Sequence, residues 1–346
     1  MPRWKSYMKR ATTDHTGNGF LKDVIGSKAD AAVGSVVNTA SVIAYLKGLT
    51  LGGGGYGTDY YVSRNITASG DGTSWRTAYK TIGEAITAVN AAYTAAAQPL
   101  KGRNTRIIIG EGWYGEVGMT LTASDVEIIG MGPGSNINDG TILYGSLTAG
   151  GFDAGALVPV IRVTGSSVTF KNMGFMNSAS GLYPCITIGT SGVTGPYNIR
   201  FKGCFFPRDV ADAYTYAIED YGNEGMRVED CYFSQSAKTG GILIASNGVV
   251  NPVNDWIINN KFIGTPIGVH QTAGHNTLIK GNWFVDASDD RPDTIDNPLN
   301  IVATSAFATG NFAPMNTLAE FDAGAVAVCL GNICSDSAAA NWPDGG

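Results

Sequence analysis

Charged side chains are scarce in this chain of 346 residues, at 15%, and the formal net charge is −6. Soluble domains average about 25% charged residues, and nucleic-acid binding depends on clustered Lys and Arg. The acidic balance therefore argues against a nucleic-acid partner. Glycine reaches 47 residues, and much glycine with little charge is typical of a β-rich protein with many turns rather than a helical bundle.

Long apolar runs are also missing. No stretch of about 18 uninterrupted apolar residues occurs, so the sequence predicts no membrane insertion. The basic start MPRWKSYMKR is followed by ATTDHTGNG rather than by an apolar segment. This order argues against a secretory signal.

Cysteine, at five residues, is too rare for a disulfide framework. Cys185, Cys204 and Cys231 fall inside strand-like runs, and we interpret them as small apolar core residues. Cys329 and Cys334 either pair with each other or occupy core positions.

The sequence of residues 1–51 predicts a helical segment. Ser27 and Thr39 stand where helix N-caps would be, so two short helices are expected at about residues 28–36 and 40–48. An amphipathic element this small cannot bury its apolar face alone. It docks on a copy of itself, on a larger assembly, or back on the main domain. The candidate attachment residues, spaced as on a helix, are Leu21, Val24, Ile25, Val36, Val37, Ile43 and Leu46.

A glycine-rich linker, residues 52–58, separates this segment from residues 59–104, which predict a strand at Tyr60–Val62 and a helix from about Thr81 to Ala96. The apolar face of that helix comprises Ile82, Ala85, Ile86, Val89 and Ala92. The stretch DGTSWRTAYKTIGEAI resembles the opening of pectate-lyase-like right-handed parallel β-helix proteins, in which a short helix caps the N-terminal end. The resemblance implies such a cap here, where an uncovered end would expose unpaired backbone groups.

One phrase recurs through residues 105–346. It reads FKNMGF at Phe170 and returns as FKGCFF, VEDCYF, INNKF and IKGNWF. The intervals between its final aromatic residues are 31, 27, 29 and 22 residues, which is typical of one coil of a β-solenoid with loops of varying length. These aromatic residues are Phe175, Phe206, Phe233, Phe262 and Phe284.

Each position of the phrase has a mechanical role. The first apolar residue points into the core, the Asn, Gly or Asp turns a corner in the left-handed conformation, and the final Phe re-enters the core. Stacked coils then give a Phe column and an Asn ladder. We therefore predict an all-β fold, a right-handed single-stranded parallel β-helix with an N-terminal capping helix and a short helical N-terminal anchor. The alternative is a β-sandwich, whose turns would come without this long-range register.

Acid and base catalysis on sugars needs two carboxylates facing one groove. The segments PRDVADAYTYAIEDYGNEG and VDASDDRPDTIDNP supply carboxylates between copies of the phrase, and we interpret both segments as loops on the wall of the solenoid. They form a carbohydrate site, a Ca²⁺ site or a solvated acidic surface; apart from that Ca²⁺ alternative we expect no metal and no cofactor. The candidate catalytic residues are Asp209, Asp212, Glu219, Asp220, Asp289 and Asp290.

Other catalytic signatures are weak. The motifs of polygalacturonase-type hydrolases are absent or out of order. His270 and His275 have no third ligand at metal-binding spacing, so we interpret them as surface or turn residues. Aromatic side chains in or beside the wall loops are better candidates, because they can stack on sugar rings. The candidates for glycan binding are Tyr214, Tyr216, Tyr221, Trp256 and Trp283.

The order of anchor, glycine linker, cap helix and β-helix resembles bacteriophage virion appendages: tail spikes, head fibres and capsid decoration proteins. The stretch DVIGSKADAAVGSVVNTASVIAYLKGL is similar to an attachment or trimer-forming segment near the start of many phage structural proteins. The resemblance implies a location in the virion, a homotrimer, contact with phage capsid or tail proteins through residues 1–51, and binding of surface polysaccharide.

Enzymes of that family cleave surface polysaccharide, but this sequence lacks a recognisable catalytic constellation. The leading hypothesis is therefore a structural virion protein. The alternative is a polysaccharide depolymerase, either a lyase or a glycoside hydrolase.

Overall fold

The chain winds into a right-handed parallel β-helix, as the sequence predicts. A computed structural model describes residues 57–95, 105–132, 140–145, 158–177, 183–190, 192–193, 195–207, 214–234, 237–285, 297–301, 305–313, 328–330 and 332–334. Apart from residues 57 and 58, these lie in one compact unit. Each full coil gives one strand to each of three sheets, and the strand pairings among the described residues are parallel. Parallel crossovers are almost always right-handed, which fixes the hand of the solenoid.

We name the sheets A, B and C in the order in which the chain passes through them. Sheet A contains β1 (Asp59–Val62), β2 (Thr105–Ile109), β5 (Val126–Gly130), β8 (Thr169–Lys171), β11 (Arg200–Lys202), β14 (Arg227–Glu229), β17 (Trp256–Ile258), β20 (His275–Lys280), β23 (Ser305–Thr309) and β25 (Val328–Leu330). Sheet B contains β3 (Gly112–Gly115), β6 (Thr141–Gly145), β9 (Gly174–Asn177), β12 (Phe205–Phe206), β15 (Tyr232–Ser234), β18 (Lys261–Ile263), β21 (Trp283–Val285), β24 (Phe312–Ala313) and β26 (Ile333–Cys334). Sheet C contains β4 (Met119–Leu121), β7 (Ile161–Val163), β10 (Ile186–Ile188), β13 (Tyr214–Tyr221), β16 (Ala237–Ala245), β19 (Ile267–Gln271) and β22 (Asn297–Ile301).

The recurring phrase turns the corner between sheets A and B, the A–B corner. Its third residue adopts positive φ, between 52° and 65°, in six successive coils. Asn, Asp and Gly tolerate this conformation best, which explains why only these types occupy the position. The six residues are Asn172, Gly203, Asp230, Asn259, Gly281 and Gly310.

The final Phe of each phrase forms the predicted aromatic column. Ring centroids are 5.6 Å apart between Phe175 and Phe206, then 4.7, 4.5 and 4.9 Å through Phe233, Phe262 and Phe284. All five side chains are fully buried. Truncating one such Phe to Ala costs about 3–5 kcal/mol.

An Asn ladder forms at the fourth position of the phrase, one residue after the corner position at which it was expected. It begins at Asn260 and continues through Asn282, Asn311 and Asn332. Asn260 donates from its backbone N and its Nδ2 to Asn282 Oδ1, at 2.9 and 3.0 Å. Asn282 repeats the pattern onto Asn311, and Asn311 onto Asn332. The second Nδ2 hydrogen of each goes to a backbone carbonyl one coil back, as from Asn282 to Ile257 O at 2.9 Å. The buried amides are therefore fully satisfied.

A helix closes the N-terminal end, as predicted. The helix α1 (Ile82–Ala95) begins with a capping box in which Thr81 Oγ1 accepts from Glu84 N at 3.1 Å and Glu84 Oε2 accepts from Thr81 N at 3.0 Å. Glu116, which follows β3, accepts from Ile82 N and Gly83 N at 2.7 and 2.6 Å and so ties the helix to the first coil.

The apolar face of α1 matches the prediction except at one residue. Ile82, Ala85, Ile86 and Val89 are buried in the core. Ala92 is exposed, so its assignment to this face was wrong.

Several sequence predictions lie outside the described residues. These include the helical segment 1–51 with its attachment residues, and most of the linker 52–58. Cys185, Cys204 and Cys231 are buried free thiols, as expected. Cys329 and Cys334 lie in β25 and β26, but their side chains are outside the description. Among the described residues, no helix is long and apolar enough to cross a membrane.

Candidate functional site

The structure separates the two carboxylates that the sequence places side by side. Residues 214–221 form strand β13 of sheet C, so the prediction of a wall loop over this stretch was wrong. Its apolar alternation pairs Ile218 with Ile186 and Ile242 inside the solenoid. Because neighbours on a strand point to opposite faces, Glu219 faces outward and Asp220 inward. Asp209, Asp212, Asp289 and Asp290 lie outside the described residues.

Glu219 is held on the outer face of sheet C. Its Oε1 accepts from Thr215 Oγ1 and its Oε2 from Tyr221 Oη, both at 3.1 Å. Burial raises the pKa of this half-buried carboxyl, and the two hydrogen bonds lower it by less. A carboxyl with a raised pKa beside hydroxyl donors has the chemistry of a proton donor.

Tyr216, on the same strand as Glu219, forms a pair with His270, which lies two coils from Glu219 in register, at about 10 Å. Tyr216 Oη and His270 Nδ1 share a hydrogen bond of 2.7 Å. The Tyr216 ring crosses over β16 at Gly240, where a Cβ would come within 2.8 Å of the ring. Burial raises the pKa of Tyr216 to about 12 and lowers the pKa of His270, so both are neutral at pH 7.

The histidine interpretation needs one correction. His270 lies within β19 and is half-buried, so it is neither a turn residue nor fully at the surface. The strand buries one side of the ring and Tyr216 covers the ring nitrogen. His275 begins β20 and is exposed, in keeping with the surface interpretation.

Trp283 belongs to a row of aromatic and basic side chains on the outer face of sheet B, which we call the sheet B row. Lys261 Nζ lies between two rings, 5.7 Å from the centroid of Tyr232 and 5.4 Å from that of Trp283. Phe312 packs edge-on against Trp283, with ring centroids 5.5 Å apart, and Phe205 packs at a tilt against Tyr232, with ring centroids 5.2 Å apart. Trp283 is 51% exposed and is the most open ring of the row.

The remaining aromatic candidates lie on other faces. Trp256 is on sheet A, 37% exposed, with the Arg227 guanidinium 4.2 Å from its ring. Tyr216 and Tyr221 are on sheet C, where they bond to His270 and Glu219. Tyr214 is in β13, but its side chain is outside the description. The five candidates therefore do not form one site.

Sequence reasoning missed most of the sheet B row, namely Phe205, Tyr232, Lys261 and Phe312. A signal for three of them was present, because the residue before each final Phe of the phrase must point outward if the Phe points inward. That residue is Phe205, Tyr232, Lys261 and Trp283 in four successive coils. Of these four residues, the sequence analysis singles out only Trp283 as a glycan-binding candidate and assigns the other three no role beyond the frame.

Comparison with known proteins supports the fold. No protein-family model matches this chain, and no curated protein sequence matches it. The class of protein defined by the three parallel sheets is the right-handed parallel β-helix, and solved structures of that class are similar to this chain.

The ORF18 protein of Geobacillus virus E2 is similar at 12% identity and a TM-score of 0.52 over 87% of this chain and 60% of that one. The DFA-IIIase of Arthrobacter chlorophenolicus A6 is similar at 14% identity and a TM-score of 0.51, over 81% of this chain and 66% of that one. A pectin methylesterase in complex with a hexasaccharide is similar at 12% identity and a TM-score of 0.50, over 82% and 91%. The chain thus spans about three fifths of the phage protein, and at these identities the likeness shows the fold alone.

Proposed function

We propose that this chain is a structural virion protein, a trimeric β-helical appendage or decoration protein that is anchored through residues 1–51 and binds surface polysaccharide without cleaving it. The observation that carries the proposal is the sheet B row. The similar fold of ORF18, a phage protein, supports the proposed place of this chain in a virion.

The sheet B row has the chemistry of a polysaccharide-binding surface. Aromatic faces stack on the apolar faces of sugar rings, and a Lys beside them attracts acidic sugars. Successive strands place these side chains about 4.8 Å apart along the solenoid axis. A linear polysaccharide lying along the axis would contact several of them at once. Rigid rings on a rigid sheet lose little entropy on binding.

Replacing Trp283 tests this surface. We expect Trp283→Ala to weaken binding of the full chain to its polysaccharide about tenfold, because the most exposed ring of the row is lost. Biolayer interferometry against a panel of capsular polysaccharides and lipopolysaccharides would measure it. Phe307→Ala is the matched control, since Phe307 is 50% exposed on sheet A. If both variants weakened binding equally, the sheet B row would not be the binding surface. If the parent chain itself bound no polysaccharide, the proposed binding function would be wrong.

The anchor is tested by deleting residues 1–51. We expect a truncated chain that melts cooperatively like the parent but is missing from particles, because the proposed attachment segment has been removed. Complementation of a phage lacking the protein, followed by immunoblotting of purified virions, would show this. A truncated chain that still enters virions would overturn the assignment.

A second candidate function, polysaccharide depolymerisation, is favoured by the arrangement around Glu219. Its carboxyl is bonded to Thr215 and Tyr221 on an open sheet face. The test is the appearance of new reducing ends or unsaturated sugars on incubation with polysaccharide. Turnover that falls at least about 100-fold in Glu219→Gln and persists in Glu224→Gln, an exposed carboxylate of the same turn region, would replace the structural proposal.

A further inference from the structure

One basic side chain on the outer face of sheet C has no partner within the described part of the chain. Arg162 lies in β7 between the buried residues Ile161 and Val163, so its side chain points away from the core. The side chain is partly exposed, but its Nε is buried without a hydrogen bond. Buried donors are normally paired, because an unpaired one costs free energy, and more so when it is charged. A ligand with an acceptor would remove this cost.

Basic residues on sheet A show what Arg162 lacks. Three of them form ion pairs with carboxylates on a neighbouring coil, and these are the ion pairs found between described residues. The pairs are Arg106–Asp59, Lys171–Glu127 and Arg200–Glu229. The positions in register with Arg162 on the neighbouring coils are Thr120 and Thr187 instead. The outer face of sheet C therefore holds a bare cation where sheet A holds ion pairs.

The two threonines add hydroxyl donors beside the guanidinium. Thr120 and Thr187 each pair directly with Arg162, so each lies one coil away, at about 4.8 Å. A threonine hydroxyl can donate one hydrogen bond, and a guanidinium can donate five but accept none. Thr120 is exposed and Thr187 is nearly buried. The three neighbouring side chains thus offer a positive charge and several donors on one face.

The carboxylate nearest in register is already engaged. Glu219 is in register with Thr187 and lies two coils from Arg162, at about 10 Å. Its carboxyl accepts from Thr215 and Tyr221. Burial raises the pKa of Glu219, which weakens the negative charge that an anion on this face would meet. Glu219 is therefore not the counterion of Arg162.

An unpaired guanidinium between hydroxyl donors has the chemistry of an anion-binding site. The planar fork of Arg matches a carboxylate, which it binds through two parallel hydrogen bonds. Among the described residues in register on this face, Arg162 is the one cation. A phosphate monoester carries about two negative charges at pH 7. One cation therefore suits a carboxylate better than a phosphate.

The rest of the same outer column favours a sugar as the carrier of that carboxylate. Beyond Glu219 the column continues through Leu243, His270 and Asn300, all partly exposed. Imidazole and amide groups can bond to sugar hydroxyls. Successive coils present these groups about every 4.8 Å along the axis. A linear polysaccharide along this column would reach Arg162 with an acidic group while its hydroxyls meet the neutral side chains.

We propose that Arg162, Thr120 and Thr187 bind the carboxylate of an acidic sugar of the hexuronate class, so that sheet C holds an acidic polysaccharide along the solenoid axis. We call these three residues the sheet C anion site. The inference rests on polysaccharide binding as the proposed function, but it does not depend on the sheet B row, because the two sets of residues lie on different sheets. It adds a second glycan-binding face and names the class of sugar.

The test compares two forms of the same oligosaccharides. Oligosaccharides of galacturonate, glucuronate and mannuronate are immobilised beside the same oligosaccharides with their carboxyls reduced to alcohols. Biolayer interferometry then measures binding of the full chain. We expect the parent chain to bind at least one acidic form about tenfold more tightly than its reduced form. Arg162→Met should lose this difference. Lys202→Gln removes a charge from an exposed position on sheet A and should keep it.

Thermal unfolding separates binding from a structural role of Arg162. Because Arg162→Met removes an unpaired charged donor, its melting temperature should equal or exceed that of the parent chain, whereas loss of a structural arginine would lower it. Thr187→Val gives a second measurement if Arg162→Met fails to fold. It removes one donor at nearly constant size, so we expect affinity for the acidic form to fall several-fold while the fold persists.

The possible failures are distinguishable. Equal binding of the acidic and reduced forms by the parent chain would overturn the sheet C anion site and leave polysaccharide binding intact. A preference for the acidic form that survives Arg162→Met would also overturn the site, and its loss in Lys261→Met would assign it to the sheet B row. A parent chain that binds neither form of any oligosaccharide or polysaccharide would overturn both the site and the proposed function.

Discussion

Two corners of the same solenoid bury polar side chains in opposite ways. At the A–B corner, each amide of the Asn ladder donates and accepts to capacity. At the corner between sheets C and A, the C–A corner, the buried side chains of Asp220, Asn223, Asp255, Gln271 and Thr277 include four oxygens with no hydrogen-bond partner among the described residues. The Asn ladder repeats from coil to coil and satisfies its own hydrogen bonds. The polar residues of the C–A corner do not repeat, so the comparison shows where the solenoid departs from its regular pattern.

The largest effect on stability is expected from disrupting the Asn ladder at the A–B corner. Asn282→Leu should lower the free energy of unfolding by roughly 4 kcal/mol. The buried polar groups of Asn260, Asn311 and Ile257 that bond to the Asn282 side chain would then have no hydrogen-bond partner. Urea denaturation followed by tryptophan fluorescence would measure the change. Lys280→Leu, an exposed substitution two residues away, should be nearly neutral.

The buried carboxyls of the C–A corner should make the stability of the fold depend on pH, whereas the Asn ladder of the A–B corner should not. Burial raises the pKa of Asp220 to about 7, and also raises that of Asp255. The folded chain therefore holds protons that the unfolded chain releases near pH 4. We expect stability to be greatest below about pH 4 and to fall as pH rises toward 7, by on the order of 1–3 kcal/mol.

Thermal unfolding of the full chain from pH 4 to pH 8 would show this slope. The doubly substituted chain Asp220→Asn with Asp255→Asn is the control, and its profile should be flatter because the titrating pair is gone. A parent profile with the opposite slope would contradict the sign derived from burial.

The smallest effect on stability is expected from extending the Asn ladder by one coil. Cys231 occupies the ladder position just before Asn260, and its Sγ accepts weakly from Cys204 N at 3.4 Å. In Cys231→Asn, the new amide would bond to Cys204 N and to Asn260 Oδ1, so we expect a stability change of less than about 1 kcal/mol in either direction. Cys185→Asn is the contrast, since Cys185 lies outside the ladder, and it should be clearly destabilising. Equal losses in the two variants would mean that the ladder cannot grow toward the N-terminus.

The frame could be predicted from the sequence because its residues repeat. The left-handed corner at Asn172 and Asp230 and the Phe column were expected, since each coil places the same kind of residue at the same step of the phrase. An Asn ladder was also expected, but one position earlier than the position at which it forms. The capping helix was equally predictable, because Thr81 and Glu84 form a local capping box and the helix has its own apolar spacing.

The candidate sites could not be predicted in the same way. Glu219 and Asp220 point to opposite faces because Ile218 is aligned with Ile186 and Ile242, and loops of unequal length hide that alignment in the sequence. The buried polar residues of the C–A corner come from three coils and belong to no copy of the phrase. The sheet B row was missed for a simpler reason. Lys261 and Trp283 each precede a buried Phe, and the recurring Phe predicted the core without indicating that its neighbours line up on the outer face.

The Asn ladder also gives the solenoid a direction. Each side-chain carbonyl in it receives its hydrogen bonds from the preceding coil, so the amide dipoles all point the same way along the axis. An inverted coil would bring carbonyl against carbonyl at this corner. Any elongation of the solenoid, whether by duplication of a coil or by a second molecule stacked on its end, is therefore restricted to head-to-tail order.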